Sequence, residues 1–211
     1  PRSFDLEVYA MRITLKVVPL VFLLAGALVA CDSTPSGPTA SAERATNVQD
    51  LTKHNAADAA SLAQHFKTVR EATKKYRDVA VARADGYIAI SPYVPGMGFH
   101  FAAGSPFGTT LDAPGVLVYF TNSSYNPSPG ELLDPAHDDD LILGAVEYLV
   151  PGNQSANPPN IFADEQSPRA LRVSESEGWH YESTENFTGL HAWIYRGNAD
   201  GVFHPTNPTI D

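Results

Sequence analysis

Three residues that lie far apart in the sequence, His100, Glu147 and His191, carry side chains suited to binding a metal ion. Glu147 lies in the middle of LILGAVEYLVP, a predicted strand with apolar residues on both faces, so its carboxylate needs a proton, a partner or a bound cation. His100 shares a predicted strand face with Gly98 and Ala102, whose small side chains leave space beside the imidazole. Two imidazoles and one carboxylate from three strands form a donor set with open positions that suits zinc, iron, manganese or copper.

The predicted strand that carries His191 also places two large aromatic side chains beside it. Residues alternate between the two faces of a strand, so Trp193 and Tyr195 share the face of His191 in Leu190–Tyr195. Together with Tyr148, which follows Glu147, these aromatic residues are predicted to line a pocket for a small-molecule ligand.

A structural interpretation competes with the metal site. No local ligand spacing such as HxH or HExxH connects the three residues, so the site depends on a fold that brings distant strands together. In the alternative, the histidines are hydrogen-bonded core residues and Glu147 bonds a buried tyrosine or one of three arginines, Arg169, Arg172 and Arg196. His180 and His204 stay open as extra ligands or as hydrogen-bond donors to the ligands.

One long helix and several short strands must position these residues. Apolar residues recur at steps of three and four from Leu62 to Ala80, which predicts an amphipathic helix from about Asn55 to Ala84 that ends before Gly86. Strands are predicted at Tyr87–Ile90, Met97–Ala102, Val116–Thr121, Leu141–Val150, Leu171–Val173, Trp179–Glu182 and Leu190–Tyr195. This order indicates an α+β fold in which the long N-terminal helix packs on a mainly antiparallel β-sheet or partial barrel.

Residues 1–47 are predicted to precede the single α+β domain, which spans residues 48–211. Residues 1–10 are interpreted as upstream read-through, because the signal pattern begins at Met11. Residues 11–30 have the short basic start and apolar run of a secretion signal, and Leu-Val-Ala-Cys ending at Cys31 resembles a bacterial lipobox, in which the cysteine is lipidated. Residues 31–47, rich in Ser, Thr, Pro and Ala, are predicted to be a flexible tether.

Charge and cysteine content restrict the partners. The formal net charge is −10, and it becomes −11 without residues 1–30, which carry three basic and two acidic side chains. An acidic chain without a basic patch is unsuited to nucleic acid, so no nucleic-acid partner is expected. Cys31 is the only cysteine, which excludes an internal disulfide and a thiolate metal site. The expected partner is the membrane of the bacterial cell envelope, reached through the lipid anchor after export to the periplasm or the cell surface.

Four blocks of the sequence resemble those of a family of secreted, functionally uncharacterised bacterial proteins, in which the motifs DGY, MGxHY, AVEYxVP and LHxWxWxxNPxGxF follow in this order. The corresponding blocks of this chain are YRDVAVARADGY (Tyr76–Tyr87), GMGFHF (Gly96–Phe101), GAVEYLVP (Gly144–Pro151) and LHAWIYRGNADGVF (Leu190–Phe203). His100, Glu147 and His191 fall on the family's His, Glu and His. The resemblance implies a shared exported domain and brings no established activity with it.

The chain departs from the family pattern near its C-terminal end. It has Asn198-Ala199 where the family has Asn-Pro, and His204-Pro205-Thr206-Asn207-Pro208 where an aromatic residue precedes the last Asn-Pro. This departure leaves any role of His204 open.

Two functions remain from the sequence. In the first, an exported, lipid-anchored protein of unknown activity holds a mononuclear metal in an aromatic-lined pocket; if the protein is an enzyme, the metal would activate water or dioxygen. In the second, a non-catalytic ligand-binding or envelope-associated lipoprotein uses the same three residues for structure alone. A hydrolase with a side-chain nucleophile lacks support, because no GxSxG motif is present and Cys31 is the only thiol.

Overall fold

The computed structural model describes residues 58–163 and 175–210, in which the chain forms a six-stranded antiparallel sheet. All of these residues belong to one compact unit of the chain. The strands are β1 (Ile88–Ala89), β2 (Phe99–Ala102), β3 (Val116–Thr121), β4 (Leu141–Pro151), β5 (His180–Glu182) and β6 (Phe187–Ala192), in the order β1-β2-β3-β4-β6-β5. The predicted α+β class with a mainly antiparallel sheet is confirmed. The predicted strand Leu171–Val173, the predicted helix start at Asn55, and Cys31 with the signal and tether segments lie outside the described residues.

The predicted long helix is interrupted. Residues 58–73 are helical and form α1, Lys74–Arg77 form a 3-10 turn, and α2 spans Val79–Ala84. Between them, Asp78 has an extended backbone and its side chain accepts a hydrogen bond from the backbone N–H of Ala80 at 2.9 Å. Asp is a favoured residue at a helix N-terminus because it satisfies such a free N–H. The prediction of one continuous helix to Ala84 is therefore wrong at Asp78, although the apolar stripe still packs on the sheet.

The sheet buries both of its faces. One face packs against the helices in a large cluster that includes Val69, Phe99, Tyr119 and Tyr148. The opposite face carries a smaller cluster, formed by Ala102, Val116, Val118, Phe120, Ala145, Leu149, Trp193 and Ile210. A strand whose two faces are both covered consists almost entirely of apolar residues, and β4 has this pattern.

A β-bulge in β4 changes which residues face the helices. Val118 pairs with Ala145 but Tyr119 pairs with Leu143, so Gly144 is the extra residue. Because of this residue, Leu143 joins the helix-side cluster while Ala145 lies on the opposite face. Strict alternation along LILGAVEYLVP predicts that Leu143 and Ala145 share one face, and the bulge makes this prediction wrong. The Gly144 carbonyl accepts hydrogen bonds from the N–H groups of Tyr195 and Arg196, at 3.1 and 3.0 Å.

Strand β6 begins and ends three residues earlier than predicted. Phe187 to Gly189 join the sheet because they pair with Pro151, Val150 and Leu149. After Ala192 the chain leaves the sheet, since Trp193 N–H bonds the Val202 carbonyl at 2.9 Å.

Gly98, at the start of β2, requires glycine for two reasons. Its φ is +101°, and an added Cβ would lie 2.2 Å from the backbone oxygen of Tyr119. Gly98 also exchanges two backbone hydrogen bonds with Val94, which closes the turn into β2. The position of β2, and with it the position of His100, therefore depends on this close contact. Within the described ranges, no helix has the length and apolar composition needed to cross a bilayer.

We predict that Gly98→Ala lowers the free energy of unfolding by roughly 2–5 kcal/mol, because backbone strain adds to overpacking against β3. Gly104→Ala is the matched control, since Gly104 also has a positive φ (+73°) but has no atom within 4 Å of an added Cβ. The control should lose only about 1–2 kcal/mol. Urea denaturation measures the free energy of unfolding of both variants. Equal losses in the two would show that the close contact between Gly98 and the Tyr119 backbone is not important for stability.

Candidate metal centre

The structure brings His100, Glu147 and His191 together on the sheet face opposite the helices. They belong to β2, β4 and β6, and Glu147 pairs directly with His191 in the ladder between β4 and β6. On its other side Glu147 pairs with Val116, while His100 pairs with Val118. The three side chains thus surround the two valines of β3.

Their convergence requires a strongly curved sheet. Two strands lie between β2 and β6, and three spacings of about 4.8 Å would separate them by roughly 14 Å in a flat sheet. Nevertheless His100 Nε2 lies 3.3 Å from His191 Nε2. The sheet therefore curls toward this face, and the bulge at Gly144 provides a local increase in twist.

The two imidazoles are hydrogen-bonded to each other through their Nε2 atoms, but the distances from the Glu147 carboxylate suit a metal ion better than hydrogen bonds. Glu147 Oε2 lies 3.7 Å from His100 Nε2, and Oε1 lies 3.8 Å from His191 Nε2, beyond the normal hydrogen-bond range. Ligands at about 2.0–2.2 Å from zinc are separated by roughly 3.3–3.6 Å at tetrahedral angles. One ligand atom from each residue lies within 4.8 Å of the others, so a small shift of the carboxylate completes a three-ligand site.

The trio formed by His100, Glu147 and His191 is almost enclosed by protein, and one side of it is partly open to solvent. The exposed fraction of the side chain is 1% for His191, 4% for Glu147 and 11% for His100. Val116 and Val118 beneath the trio are fully buried. Because this surrounding is apolar, a charge on any of the three groups is costly unless another charge balances it.

Without a cation, burial keeps all three groups neutral near pH 7. It raises the pKa of the Glu147 carboxyl to about 8, and the negative charge of Glu182 adds to the effect. Burial also lowers the pKa of His100 to about 4, with a smaller contribution from His180. The pKa of His191 is shifted in the same direction, well below its usual value, first by burial and then by the other two imidazoles.

Ser91 positions the imidazole of His100. Its Oγ lies 2.9 Å from His100 Nδ1 and accepts a hydrogen bond from the His100 backbone N–H at 3.1 Å. When Nδ1–H donates to Ser91, the lone pair of Nε2 points to the other ligands, as metal binding requires. His191 differs, because its Nδ1 is buried and has no hydrogen-bond partner among residues 58–163 and 175–210. No sequence signal connects Ser91 with the site, so Ser91 is not among the predicted site residues.

Gly189 provides the space for the Glu147 carboxylate. It lies on β6 between Leu149 and His180, and a Cβ at this position would stand 2.7 Å from Glu147 Oε1. The sequence predicts this space beside His100, at Gly98 and Ala102. The structure places it across the ladder from β4 instead.

Three aromatic rings stack along the site. His191 is parallel to Trp193 on one side (5.6 Å between centroids, 9°) and to His180 on the other (5.4 Å, 11°). His180 thus borders the trio, but its Nδ1 lies 3.3 Å from the Gly178 carbonyl and its Nε2 lies 3.7 Å from Glu182 Oε1. It does not belong to the group of converging ligands. His204 is exposed, and its Nδ1 lies 2.8 Å from the Thr206 carbonyl.

The predicted aromatic lining is correct only for Trp193. Tyr148 packs in the helix-side cluster, and its hydroxyl donates to the Leu111 carbonyl at 2.6 Å. The hydroxyl of Tyr195 lies 2.9 Å from Thr73 Oγ1 on α1. Tyr195 faces the helices because the strand ends at Ala192, so the alternation on which the prediction relied no longer applies.

The structural alternative is supported for the histidines, because His100 is hydrogen-bonded to Ser91 and to His191, but among the described residues no tyrosine or arginine pairs with Glu147. Arg196 donates to Thr209 Oγ1 at 3.0 Å and its guanidinium lies over the Phe120 ring, so it is not the partner of Glu147. Arg169 and Arg172 lie outside the described ranges. Within these ranges, the ion-pair partners of Glu147 are the two histidines of the trio.

A large cavity exists, but away from the trio. It has a volume of about 590 Å³, and its lining includes Phe120, Asn122, Tyr125, Ile142 and Arg196. The cavity therefore does not correspond to the aromatic pocket that was predicted around His100, Glu147 and His191.

We predict that the stability of metal-free protein falls as the pH rises from 6.5 to 8. Glu147 binds its proton up to about pH 8 when folded, but only up to about 4.5 when unfolded. Its stabilisation is therefore complete below pH 4.5 and is lost as the pH approaches 8, with a slope of up to about 1.4 kcal/mol per pH unit. The lowered histidine pKa values act oppositely, and mainly below pH 6.5.

Denaturation of chelator-treated protein across this pH range measures the slope. Glu147→Gln should flatten it, and saturation with a divalent metal should abolish it, because the carboxylate is then ionised as a ligand. If stability falls with pH equally in wild-type and Glu147→Gln proteins, Glu147 is not the group that causes the fall.

We also predict that Gly189→Ala weakens metal binding by about tenfold or more, because the added methyl group displaces a ligand. Gly197→Ala is the control, since no atom lies within 4 Å of an added Cβ there. Calorimetric titration with zinc compares the two variants. An unchanged affinity for zinc in Gly189→Ala would show that the Glu147 carboxylate does not bind the metal from its position beside Gly189.

Comparison with known proteins yields no matching family model, no matching curated protein and no matching solved structure.

Proposed function

We propose that this chain is an exported, lipid-anchored protein that binds one transition metal ion through His100 Nε2, His191 Nε2 and a carboxylate oxygen of Glu147. One observation carries the proposal, namely that three good ligands converge within 4.8 Å in a buried, apolar surrounding. A divalent ion offsets the cost of the buried carboxylate, for which the described residues provide no lysine or arginine partner.

The donor set limits which metals fit. Two imidazole nitrogens and one carboxylate oxygen suit zinc, iron, manganese or copper, whereas magnesium and calcium prefer oxygen alone. Three protein ligands leave at least one position open, as in catalytic rather than structural zinc sites. The metal would supply Lewis acidity for the activation of water, and iron, manganese or copper, but not zinc, would also be able to supply electrons to dioxygen.

The proposal of export and anchoring rests on the sequence pattern around Cys31 and on the tether that follows it. The resemblance to secreted bacterial proteins supports the same location. The finer architecture, in which one long N-terminal helix begins near Asn55 and covers the sheet, is part of this proposal as well.

A second function is favoured by the cavity that Phe120 and Arg196 help to line. Its lining combines aromatic rings with amide and hydroxyl groups, which suits a small polar ligand. A ligand-binding lipoprotein could use this cavity while the trio serves structure. Chelation would then leave the melting temperature unchanged.

Fluorescence titration tests the metal site. Trp179 and Trp193 are the only tryptophans of the chain, so Trp179→Phe leaves the indole that stacks on His191. We expect copper(II) or cobalt(II) to quench this emission with a stoichiometry of about one ion per chain.

His100→Ala and His191→Ala, made in the Trp179→Phe background, should stay folded and lose the quenching. His137→Ala is the matched control, because His137 is 40% exposed and pairs with Asp140 rather than with the trio. Equal quenching in all variants would contradict the proposed ligands.

A further inference from the structure

We infer that the cavity of about 590 Å³ binds a small monocarboxylate with an apolar body, such as an aromatic acid, and that Arg196 holds the carboxylate. This inference rests on the second function proposed above, for which it names the class of ligand. It does not depend on the metal centre.

The cavity lies on the sheet face that carries the metal ligands, but at the other end of β3 and β4. Two directly paired strand residues, Phe120 and Ile142, line it from the sheet. The other lining residues are Arg196, Thr209 and Ile210 near the C-terminal end, and Thr121, Asn122, Ser123, Tyr125 and Asn126 at the end of β3 and beyond it. Its volume falls within the range of small-molecule sites, roughly 300–1,000 Å³.

The guanidinium of Arg196 is held in place beside this cavity. Its Nε donates to Thr209 Oγ1 at 3.0 Å, and its Nη2 donates to the Thr209 carbonyl at 3.4 Å. Thr209 is fixed in turn by the fully buried Asn207, whose Oδ1 accepts hydrogen bonds from the Thr209 N–H and hydroxyl at 3.0 and 2.9 Å. The guanidinium carbon also lies 5.0 Å from the centre of the Phe120 ring. Contacts along one edge and one face therefore orient the guanidinium before a ligand binds.

The charge of Arg196 has no acidic partner among residues 58–163 and 175–210, where its side-chain hydrogen bonds go to Thr209 alone. Nη1 and one N–H of Nη2 are left without a protein acceptor in these ranges. Such N–H groups form a planar fork that matches the two oxygens of a carboxylate. One guanidinium balances one negative charge, and Asp140, which accepts a hydrogen bond from Asn122 Nδ2 at 3.2 Å, opposes a ligand of higher charge.

Ile142 indicates that the ligand also has an apolar part. Its exposed fraction is 43%, although the residues that follow it in β4, from 143 to 149, are all buried. The side chain lines the same cavity as Arg196. The body of an acid whose carboxylate binds Arg196 would cover Ile142 and remove its apolar surface from water. Acetate has too little surface to do so, and we expect larger acids to bind more tightly.

Fluorine NMR of the full-length protein, titrated with para-fluorobenzoate, tests the inference. We expect saturable binding of about one molecule per chain, within the ordinary limits of one cavity for one ligand. Acetate, which lacks the ring, should be a weak competitor, and para-fluorobenzyl alcohol, which lacks the charge, should bind more weakly. The affinity should be the same before and after treatment with a chelator, because the cavity contains none of the proposed metal ligands.

Arg196→Gln should weaken the binding of fluorobenzoate by about tenfold or more, because a charged acceptor loses its donors. This variant should bind the acid and the alcohol with similar affinity. Arg196→Lys, which keeps the charge but not the planar fork, should also bind the acid more weakly. Arg77→Gln is the matched control, since it removes the same charge from an exposed arginine that does not line the cavity.

Ile142→Asn tests the apolar part of the ligand. It should reduce the preference for fluorobenzoate over acetate by about threefold or more, because less apolar surface is buried. Leu132→Asn is the control, since Leu132 is 76% exposed and does not line the cavity.

A folded protein without saturable binding of fluorobenzoate would overturn the inference and leave the metal site untouched. The same affinity in Arg196→Gln and wild type would overturn the role of Arg196. Binding that is lost on chelation would show that the acid binds a metal instead, which would overturn the cavity site while supporting the metal centre.

Discussion

The burial of the Glu147 carboxylate on an apolar sheet face is the constraint on which the rest of the site depends. An ionised carboxylate in such a place costs several kcal/mol unless a cation or strong hydrogen bonds offset the cost. Burial raises its pKa to about 8, so in the absence of metal the group stays protonated near pH 7. Two neighbouring imidazoles, whose pKa values burial lowers, then complete a neutral and metal-ready cluster.

The surrounding fold positions His100, Glu147 and His191 through backbone geometry more than through polar contacts. The bulge at Gly144 and the curvature of the sheet bring His100 within reach of His191, although two strands separate them. Gly98 fixes β2 against β3, and Gly189 leaves room for the carboxylate. The candidate metal ligands therefore lie on strands of the sheet, so only a small shift of the Glu147 carboxylate is needed for an ion to bind.

The sequence predicts the individual residues better than their arrangement. Glu147 is already unusual in the sequence, because it lies within a predicted strand that is apolar on both faces. The apolar run Val116–Thr121 alone predicts β3 with its observed bounds. The face of Leu143 could not be predicted, because one bulge reverses the alternation. The end of β6 before Trp193 depends on a hydrogen bond to Val202, outside the strand, which the strand's own pattern does not contain. The break at Asp78 does have a local signal, because Asp caps the N–H of Ala80 at the start of α2. The convergence of the trio is a property of the curved sheet.

Elemental analysis tests the central claim most directly. The full-length chain should be purified without chelator or histidine tag, and its metal content compared with that of His191→Ala and His137→Ala. The account predicts about one equivalent of zinc, iron, manganese or copper per chain, lost in His191→Ala and kept in His137→Ala. Folded wild-type protein that holds no metal, even after reconstitution with each of these four ions, would contradict it.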